Sequence, residues 1–535
     1  VSQGFDTRAA ARRAPQPATL PLLPALVVAA GAGLLLDTAF PDKGWWFTAF
    51  PAIALALLTL QGRRLGAAIL IGLVFGGTFF WPHIEWASEF LGVLPWSALA
   101  AVMTLWSGAA AALIALAYRW VPRVWSGVVG RLLLLPAIVA GIWTAKEAIA
   151  SVWPYGGFSW GRVAFSQSDS PLSPLFAWLG VSGVSFVMVF LVAFALAATQ
   201  DAIRHPARAL ELGTSVTLAV LTLVVVPPWT DLPGTAPTSA PTLRVGAVQG
   251  ATKAGYFDPP ENWGDNLLGM VAATEPLYDQ DVDVVVWPEG ASDINPLSNE
   301  AAARLWDEVS TRAGAPLIGG AITTRLADDG ETPLYFNTVM LWEAGQEPLD
   351  YYDKKHPVPF GEYVPDRAFW RQFAPDLIDL IQREYTPGTT DSVFDLGNGV
   401  LVGNAICFDI VDDQLTAEFV EQGGQVLFAE TNNADFGHTD ESVQQLAIAR
   451  IRAIETARTV VNISTVGTSA IVLPDGTIEQ QLQWYVPGTM VADIPLLTTV
   501  TPAVLAGRQI EWLVSIVGLA AVLIAGIMSP RRRRL

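Results

Sequence analysis

Val400-Leu401-Val402-Gly403-Asn404-Ala405-Ile406-Cys407-Phe408-Asp409 reads as an apolar strand that ends on a cysteine and then turns polar. Cys407 is the only cysteine in the chain, so no internal disulfide exists, and its thiol is either a small buried filler or a reactive group. Six further strand-like runs surround it: Leu243–Val248, Val282–Trp287, Leu317–Ala321, Phe336–Trp342, Val426–Ala429 and Val460–Val466. Helical patterns at 262–278, 299–313, 412–421 and 441–458 separate several of them. Strands alternating with helices over about 280 residues predict one α/β domain.

Two other strand ends carry polar groups in the same manner: Val285-Val286-Trp287-Pro288-Glu289 and Tyr352-Asp353-Lys354-Lys355-His356-Pro357-Val358-Pro359-Phe360-Gly361-Glu362-Tyr363. An α/β domain presents its reactive residues at strand ends, so a Glu, a Lys and a Cys can share a site. Each also has a plain structural reading: Glu289 as a helix cap, Lys354 as a solvated charge, Cys407 as filler. The four histidines, His83, His205, His356 and His438, lack metal-ligand spacing and have no Cys pair to help them, so no metal site and no cofactor are expected.

Outside this domain the chain changes character. Residues 231–510 hold 14 Lys and Arg against 40 Asp and Glu, a net of −26, while the remainder is net +7, together the −19 of the whole. The acidic balance excludes a nucleic-acid partner, which needs basic patches. The mean hydropathy of +0.39, with 52% hydrophobic and 15% charged residues, is too apolar for an ordinary soluble enzyme. Apolar runs of membrane-crossing length, about 20 residues, fall near 20–39, 44–60, 65–82, 94–118, 131–150, 174–198, 212–229 and 509–528. The first follows Arg8, Arg12 and Arg13 but has no clear small-residue cleavage site, so it reads as a retained span.

Arginine placement orients the eight spans. One set of alternating loops carries Arg8, Arg12, Arg13, Arg63, Arg64, Arg119, Arg123, Arg131, Arg204, Arg208 and Arg531 to Arg534, whereas the opposite set holds Lys43 and Arg162, with Lys146 near an outer span end. Positive loops stay cytoplasmic. Both termini are therefore expected inside, with residues 1–230 as seven transmembrane helices, 231–507 as an outer domain, and 508–535 as an eighth helix with a basic tail. The Pro-, Gly- and Thr-rich stretch 227–237 reads as the linker that leaves the membrane.

Taken in order, Trp287-Pro288-Glu289, Lys354 with His356, and a strand-end Cys407 resemble the motifs of the nitrilase superfamily. Val358-Pro359-Phe360-Gly361-Glu362-Tyr363-Val364-Pro365 narrows the likeness to the K-x-H-L-V-P-F-G-E-x-V-P segment of apolipoprotein N-acyltransferases. Gly44-Trp45-Trp46, Gly157-Phe158-Ser159-Trp160 with Ser166-Gln167, and Gly183-Val184-Ser185-Phe186 are similar to membrane segments of that family. Pro357 stands where the family usually has Leu, Ser159 where it often has Pro, Asp409 where it commonly has Glu, and Phe257, with Trp263 nearby, where it has a Trp.

The resemblance implies a polytopic α-helical protein of eight spans with an extracytoplasmic nitrilase-like α-β-β-α sandwich, in a bacterial cytoplasmic membrane. It implies a triad of Glu289 as general base, Lys354 as oxyanion stabiliser and Cys407 as nucleophile, with the Phe408 amide as a second oxyanion donor and Glu362 orienting Lys354. The implied reaction moves an acyl chain from a phospholipid, through a thioester on Cys407, to the α-amino group of a diacylglyceryl-cysteine lipoprotein, by ping-pong covalent catalysis. Expected substrate contacts are Phe257, Trp263, Tyr363, Phe369, Trp370, Phe373 and Glu147. Residues 369, 370, 373, 377, 378 and 381 share one helical face, with Pro375 expected to start a second helical turn, suited either to the membrane interface or to packing on the domain. Two rival functions remain: a membrane-tethered nitrilase-type amidase using the same three residues, and a polytopic transporter or receptor with an outer binding domain.

Overall fold

The computed structural model describes residues 18–208, 211–215, 217–218, 240–252, 255, 262–346, 348–397 and 399–529. Among them, five helices are long and apolar enough to cross a membrane: Leu65–His83, Val93–Val124, Gly130–Ala150, Ser173–Arg204 and Pro502–Met528. Leu22–Asp37 and Trp46–Leu60 are shorter apolar helices. Seven of the eight apolar runs thus fall on helices, and most of the run 212–229 lies outside the described residues, as do the linker 227–237, Phe257 and Arg531 to Arg534. The last helix begins at Pro502, ahead of the expected boundary at 508, with Thr501 Oγ1 capping it by accepting from the Val504 amide at 3.2 Å. Small residues let these helices close on one another: a side chain at Gly141 would meet the Val514 carbonyl at 2.5 Å and one at Gly518 the Gly141 backbone at 2.8 Å.

The described residues of the remaining domain form twelve strands: β1 (Thr242–Gln249), β2 (Val284–Val286), β3 (Leu317–Leu326), β4 (Pro333–Trp342), β5 (Asp350–Asp353), β6 (Val393–Asp395), β7 (Leu401–Ile406), β8 (Val426–Thr431), β9 (Thr459–Ser464), β10 (Ala470–Val472), β11 (Ile478–Gln481) and β12 (Gly488–Pro495). They form two six-stranded sheets, ordered β12-β1-β2-β3-β4-β5 and β11-β10-β9-β8-β7-β6. Each has a parallel centre, β1-β2-β3 and β7-β8-β9, flanked by antiparallel strands. Val, Ile and Leu on both faces of these central strands follow from burial on both sides. Val245, Val286, Ile318 and Val339 of one sheet pack against Val402, Ile406, Phe428 and Ile463 of the other.

Helices cover the outer faces. Asp265–Thr274 and Glu300–Ala313 lie on the first sheet through Leu267, Met270, Trp306 and Val309. Asn299 starts the second of them, its Oδ1 accepting from the amides of Ala301 and Ala302 at 2.9 and 3.0 Å. Asp413–Glu421 and Glu441–Thr456 lie on the second sheet, giving an α-β-β-α sandwich. Every residue of Glu441–Thr456 except Val443 and Arg450 is buried or nearly so, because its other face packs on the membrane helices.

Polar residues lock that seam. Trp86 and Trp160 each donate an indole N–H to Gln444 Oε1, at 3.2 and 2.6 Å, and Gln444 Nε2 donates to the His83 carbonyl at 3.3 Å. Arg162 pairs with Asp413 at 2.6 Å, and Asp413 also receives Arg452 at 2.7 Å. Arg452 is fully buried and donates to the Ile410 and Val411 carbonyls at 2.8 Å each, so it holds the turn that follows Cys407. Removing one partner of such a network leaves the others buried and unpaired. Arg452→Met should therefore destabilise the protein by ~3–5 kcal/mol, read as a lowered thermal midpoint in detergent; a loss below about 1 kcal/mol would contradict this role.

Candidate active site

Glu289 follows β2, Lys354 follows β5 and Cys407 follows β7, so the topology brings three strand ends to one side of the sandwich. All three line a single cavity of about 960 Å³ together with Asn337, Glu362, Phe408 and Asn432. Cys407 sits at φ +50°, a left-handed conformation that costs a non-glycine residue about 1–3 kcal/mol. The Cys407–Val411 turn maintains it: Gln445 Nε2 donates to the Cys407 carbonyl at 3.2 Å, and the Ile406 amide donates to Asp409 Oδ2 at 3.1 Å. Asp409 Oδ2 also accepts from the Tyr352 hydroxyl at 2.9 Å, tying the cysteine turn to the strand that delivers Lys354.

Lys354 is 1% exposed, and its ammonium donates to Glu362 Oε2 at 2.9 Å. Burial alone would lower its pKa, but Glu362, Cys407, Glu289 and Asp409 outweigh that and hold it above its ordinary value, so the cation is permanent. Glu362 Oε2 also accepts from the Val358 amide at 2.6 Å, which fixes the 358–362 loop around the lysine. Burial raises the Glu289 carboxyl to about 7, against the pull of Lys354 and with the push of Glu362. Its oxygens accept from Asn337 Nδ2 at 2.6 Å and the Asn432 amide at 2.8 Å. Burial likewise pushes the Cys407 thiol well above its ordinary range, reinforced by Glu289 and opposed by Lys354. The resting pair is thus a thiol facing a carboxyl that is half ionised near neutrality. That arrangement suits deprotonation during attack, with a fixed cation beside the nascent oxyanion.

Asn337 is the residue that the motifs leave out. From the middle of β4 its Nδ2 bridges Glu289 Oε1 and, at 3.0 Å, Glu362 Oε1, and its carbonyl accepts from the Lys354 amide at 2.9 Å. Its sequence signal is a lone Asn among apolar residues in a buried strand, where a polar group needs partners.

Of the expected substrate contacts, Trp263, Trp370 and Phe373 line the cavity. Tyr363 and Phe369 do not: Tyr363 gives its carbonyl to the Phe360 amide at 2.7 Å, and Phe369 is half exposed against Trp370 and Phe373. Glu147 also lies off it. That carboxylate is buried and accepts from the Trp143 indole at 2.8 Å and the Val163 amide at 3.0 Å, so it anchors the 163–167 turn to its helix, with Lys146 at 3.9 Å. The segment 369–381 forms two short helical turns, Arg367–Trp370 and Pro375–Ile378, the second starting at Pro375; Ile378 and Ile381 pack with Val364, and Trp370, Phe373, Leu377, Ile378 and Ile381 all line the cavity.

A strand-end cysteine, a buried lysine and two carboxyls beneath apolar helices define an enzyme of the carbon–nitrogen hydrolase class set against a membrane. Residues 244–501 match the carbon–nitrogen hydrolase family, and residues 32–194 match the apolipoprotein N-acyltransferase N-terminal domain. The chain is 33% identical to the apolipoprotein N-acyltransferase of Mycolicibacterium smegmatis, covering 95% of this chain and 87% of that protein. It is 28% identical to the enzyme of the same name from Shewanella oneidensis, over 92% and 93% of the two chains. An amidase of the nitrilase superfamily from Nesterenkonia aligns with 49% of this chain and 94% of its own, at 19% identity and a TM-score of 0.36. The chain belongs to the apolipoprotein N-acyltransferase family, and it is an acyltransferase.

The site's titration has a definite sign. Below about 7 Glu289 is protonated and cannot accept the thiol proton, and above it the carboxylate is available. Cys407 acylation should therefore rise with pH through about 7 and level off, and Glu289→Gln should flatten that limb and slow acylation by about 10²–10⁴-fold. Asn337→Leu removes a donor to both carboxylates, each such bond being worth about 1.5–3 kcal/mol, and should slow acylation by at least roughly tenfold. Acylation rates of Asn337→Leu equal to wild type would remove Asn337 from the site.

Proposed function

We propose that Cys407 takes an acyl chain from a membrane phospholipid and passes it to the α-amino group of a diacylglyceryl-cysteine lipoprotein, the last step of bacterial lipoprotein maturation. One observation carries this reading: the cavity that holds Glu289, Lys354 and Cys407 continues along Leu94, Leu99, Val102, Met103 and Trp106 of the Val93–Val124 helix. Moving an acyl chain from lipid into water costs about 0.8 kcal/mol per methylene, so a chain of about 14 would lose roughly 11 kcal/mol. An apolar route from bilayer to thiol avoids that cost. It also keeps bulk water from the thioester, which hydrolysis would otherwise consume.

In the first half-reaction Glu289 accepts the thiol proton as sulfur attacks the ester carbonyl. Lys354, with the Phe408 amide, stabilises the oxyanion. Collapse expels the lysophospholipid oxygen, which takes the proton back from Glu289 and leaves the thioester. Glu362 and Asn337 keep Lys354 and Glu289 in register. Trp263, Trp370 and Phe373 contact lipid at the rim.

In this reading the chain crosses a bacterial cytoplasmic membrane eight times, with both termini inside and the sandwich outside. The arginine distribution supports that orientation. The amidase alternative would need only a small polar-lined site, and it gives no role to the apolar length of the cavity.

Incubation with phospholipid should add the mass of one acyl chain to the intact protein. The adduct should be absent in Cys407→Ala and lost on adding a diacylated lipopeptide. No adduct, with hydrolysis of small amides instead, would favour the amidase. For topology, Asp329→Cys and Arg64→Cys in a Cys407→Ala background should differ towards an impermeant thiol reagent on spheroplasts. Labelling of the first alone fits the proposed orientation, and labelling of the second alone reverses it.

A further inference from the structure

Glu441 is a further carboxyl on the cavity wall, and thioester formation as described makes no use of it. It opens the Glu441–Thr456 helix, is 2% exposed, and its Oε2 accepts from Asn433 Nδ2 at 2.6 Å. The same Nδ2 donates to Gln445 Oε1 at 2.9 Å, and Ser464 Oγ donates to Asn433 Oδ1 at 2.6 Å. Gln445 in turn holds the Cys407 carbonyl. Glu441 is thereby fixed in orientation and joined through two side-chain amides to the peptide of the nucleophile.

The second half-reaction poses a proton problem that this group can answer. An α-amino group has a pKa of about 7.7–8.0, so near neutrality the acceptor arrives mostly as an ammonium with no lone pair for attack. Two protons must leave nitrogen to make an amide, and the departing thiolate takes only one. We propose that Glu441 receives the acceptor's ammonium and takes the proton that frees its lone pair, an inference that rests on the acyltransfer reading above. The amine nitrogen then bonds to the thioester carbonyl carbon, and the carbon–sulfur bond breaks. The second nitrogen proton passes by way of Glu289 to the Cys407 sulfur, restoring the thiol. Glu441 releases its resting proton to solvent as the ammonium binds and regains one from the nitrogen, so one ammonium and one thioester become one amide, one thiol and one released proton.

The environment matches the task. Burial raises the Glu441 carboxyl to about 8, helped by the charge of Glu289 and opposed by the Asn433 amide. Cys407 is the other ionisable group it acts on across the cavity. Proton exchange with an α-ammonium is then close to balanced, whereas an ordinary glutamate, near 4.3, would be a base about three decades too weak. An approaching cation favours the ionised form of a carboxyl so placed.

The test uses full-length enzyme loaded with a phospholipid acyl chain, followed by intact mass as the thioester forms and as it is discharged. For Glu441→Gln, discharge by a synthetic diacylated lipopeptide at pH 7 should slow at least tenfold more than loading does. That deficit should narrow as pH rises beyond about 8, where solvent supplies free amine. Hydroxylamine, largely unprotonated at pH 7, should discharge the variant at the wild-type rate, and Glu441→Asp should recover part of the lipopeptide rate. Wild-type lipopeptide discharge by Glu441→Gln would overturn the inference, as would equal slowing of loading, hydroxylamine discharge and lipopeptide discharge. No thioester in the wild-type protein would instead remove the acyltransfer reading itself.

Discussion

A lysine ammonium that is 1% exposed must be paired, and the catalytic sandwich is arranged around pairing Lys354. Glu362 supplies the direct partner at 2.9 Å, and Asn337 ties Glu362 to Glu289. Two carboxyls near one cation would leave a surplus negative charge, and the structure answers by burial, which lets Glu289 rise to about 7. A carboxyl poised near neutrality is therefore a consequence of burial, which with the push of Glu362 outweighs the pull of Lys354. Lys354 also opposes the rise that burial imposes on the Cys407 thiol, and in the proposed reaction the same cation would face the carbonyl under attack.

Burial on this scale needs walls, and some of them belong to the apolar helical part. Phe408, next to the nucleophile, stacks against Phe158 and Trp160 with centroids 6.1 Å away in each case. The Glu441–Thr456 helix, which carries Gln445 to the Cys407 carbonyl, is itself clamped between the second sheet and residues such as Trp86 and Trp160. The catalytic geometry and the membrane helices are thus one packed unit. This accounts for a domain of carbon–nitrogen hydrolase type being joined to an apolar body larger than a tether requires.

Legibility in the sequence followed locality. Glu289, Lys354 and Cys407 each follow a strand within a short distinctive spelling, and strand ends in an α/β domain converge. Seven of the strands and the four helices of the sandwich were visible as hydrophobic patterns. β5, a polar Asp-Tyr-Tyr-Asp, the short β6 and β10 to β12 were not, since their extended form is imposed by neighbours in the sheet. Asn337 and Glu441 escaped for a related reason. Their meaning depends on cross-strand register and on a helix docking beside Cys407, neither of which is encoded within a short window. Glu147 misled in the opposite sense: an ionisable residue in a span suggests function, but here it satisfies an indole and a backbone amide. The arm at 369–381 has the separate turn that Pro375 suggests, since proline is favoured at the first position of a helix.

The central claim is that one continuous cavity joins the bilayer to Cys407 and that the transferred chain occupies it. An experimental density map of the phospholipid-loaded enzyme tests this most directly. The account predicts acyl density joined to the Cys407 sulfur, its carbonyl oxygen within hydrogen-bond reach of Lys354 and its tail along Leu99, Val102 and Trp106. Lipid held elsewhere, with the space between Cys407 and the Val93–Val124 helix filled by ordered water, would contradict it.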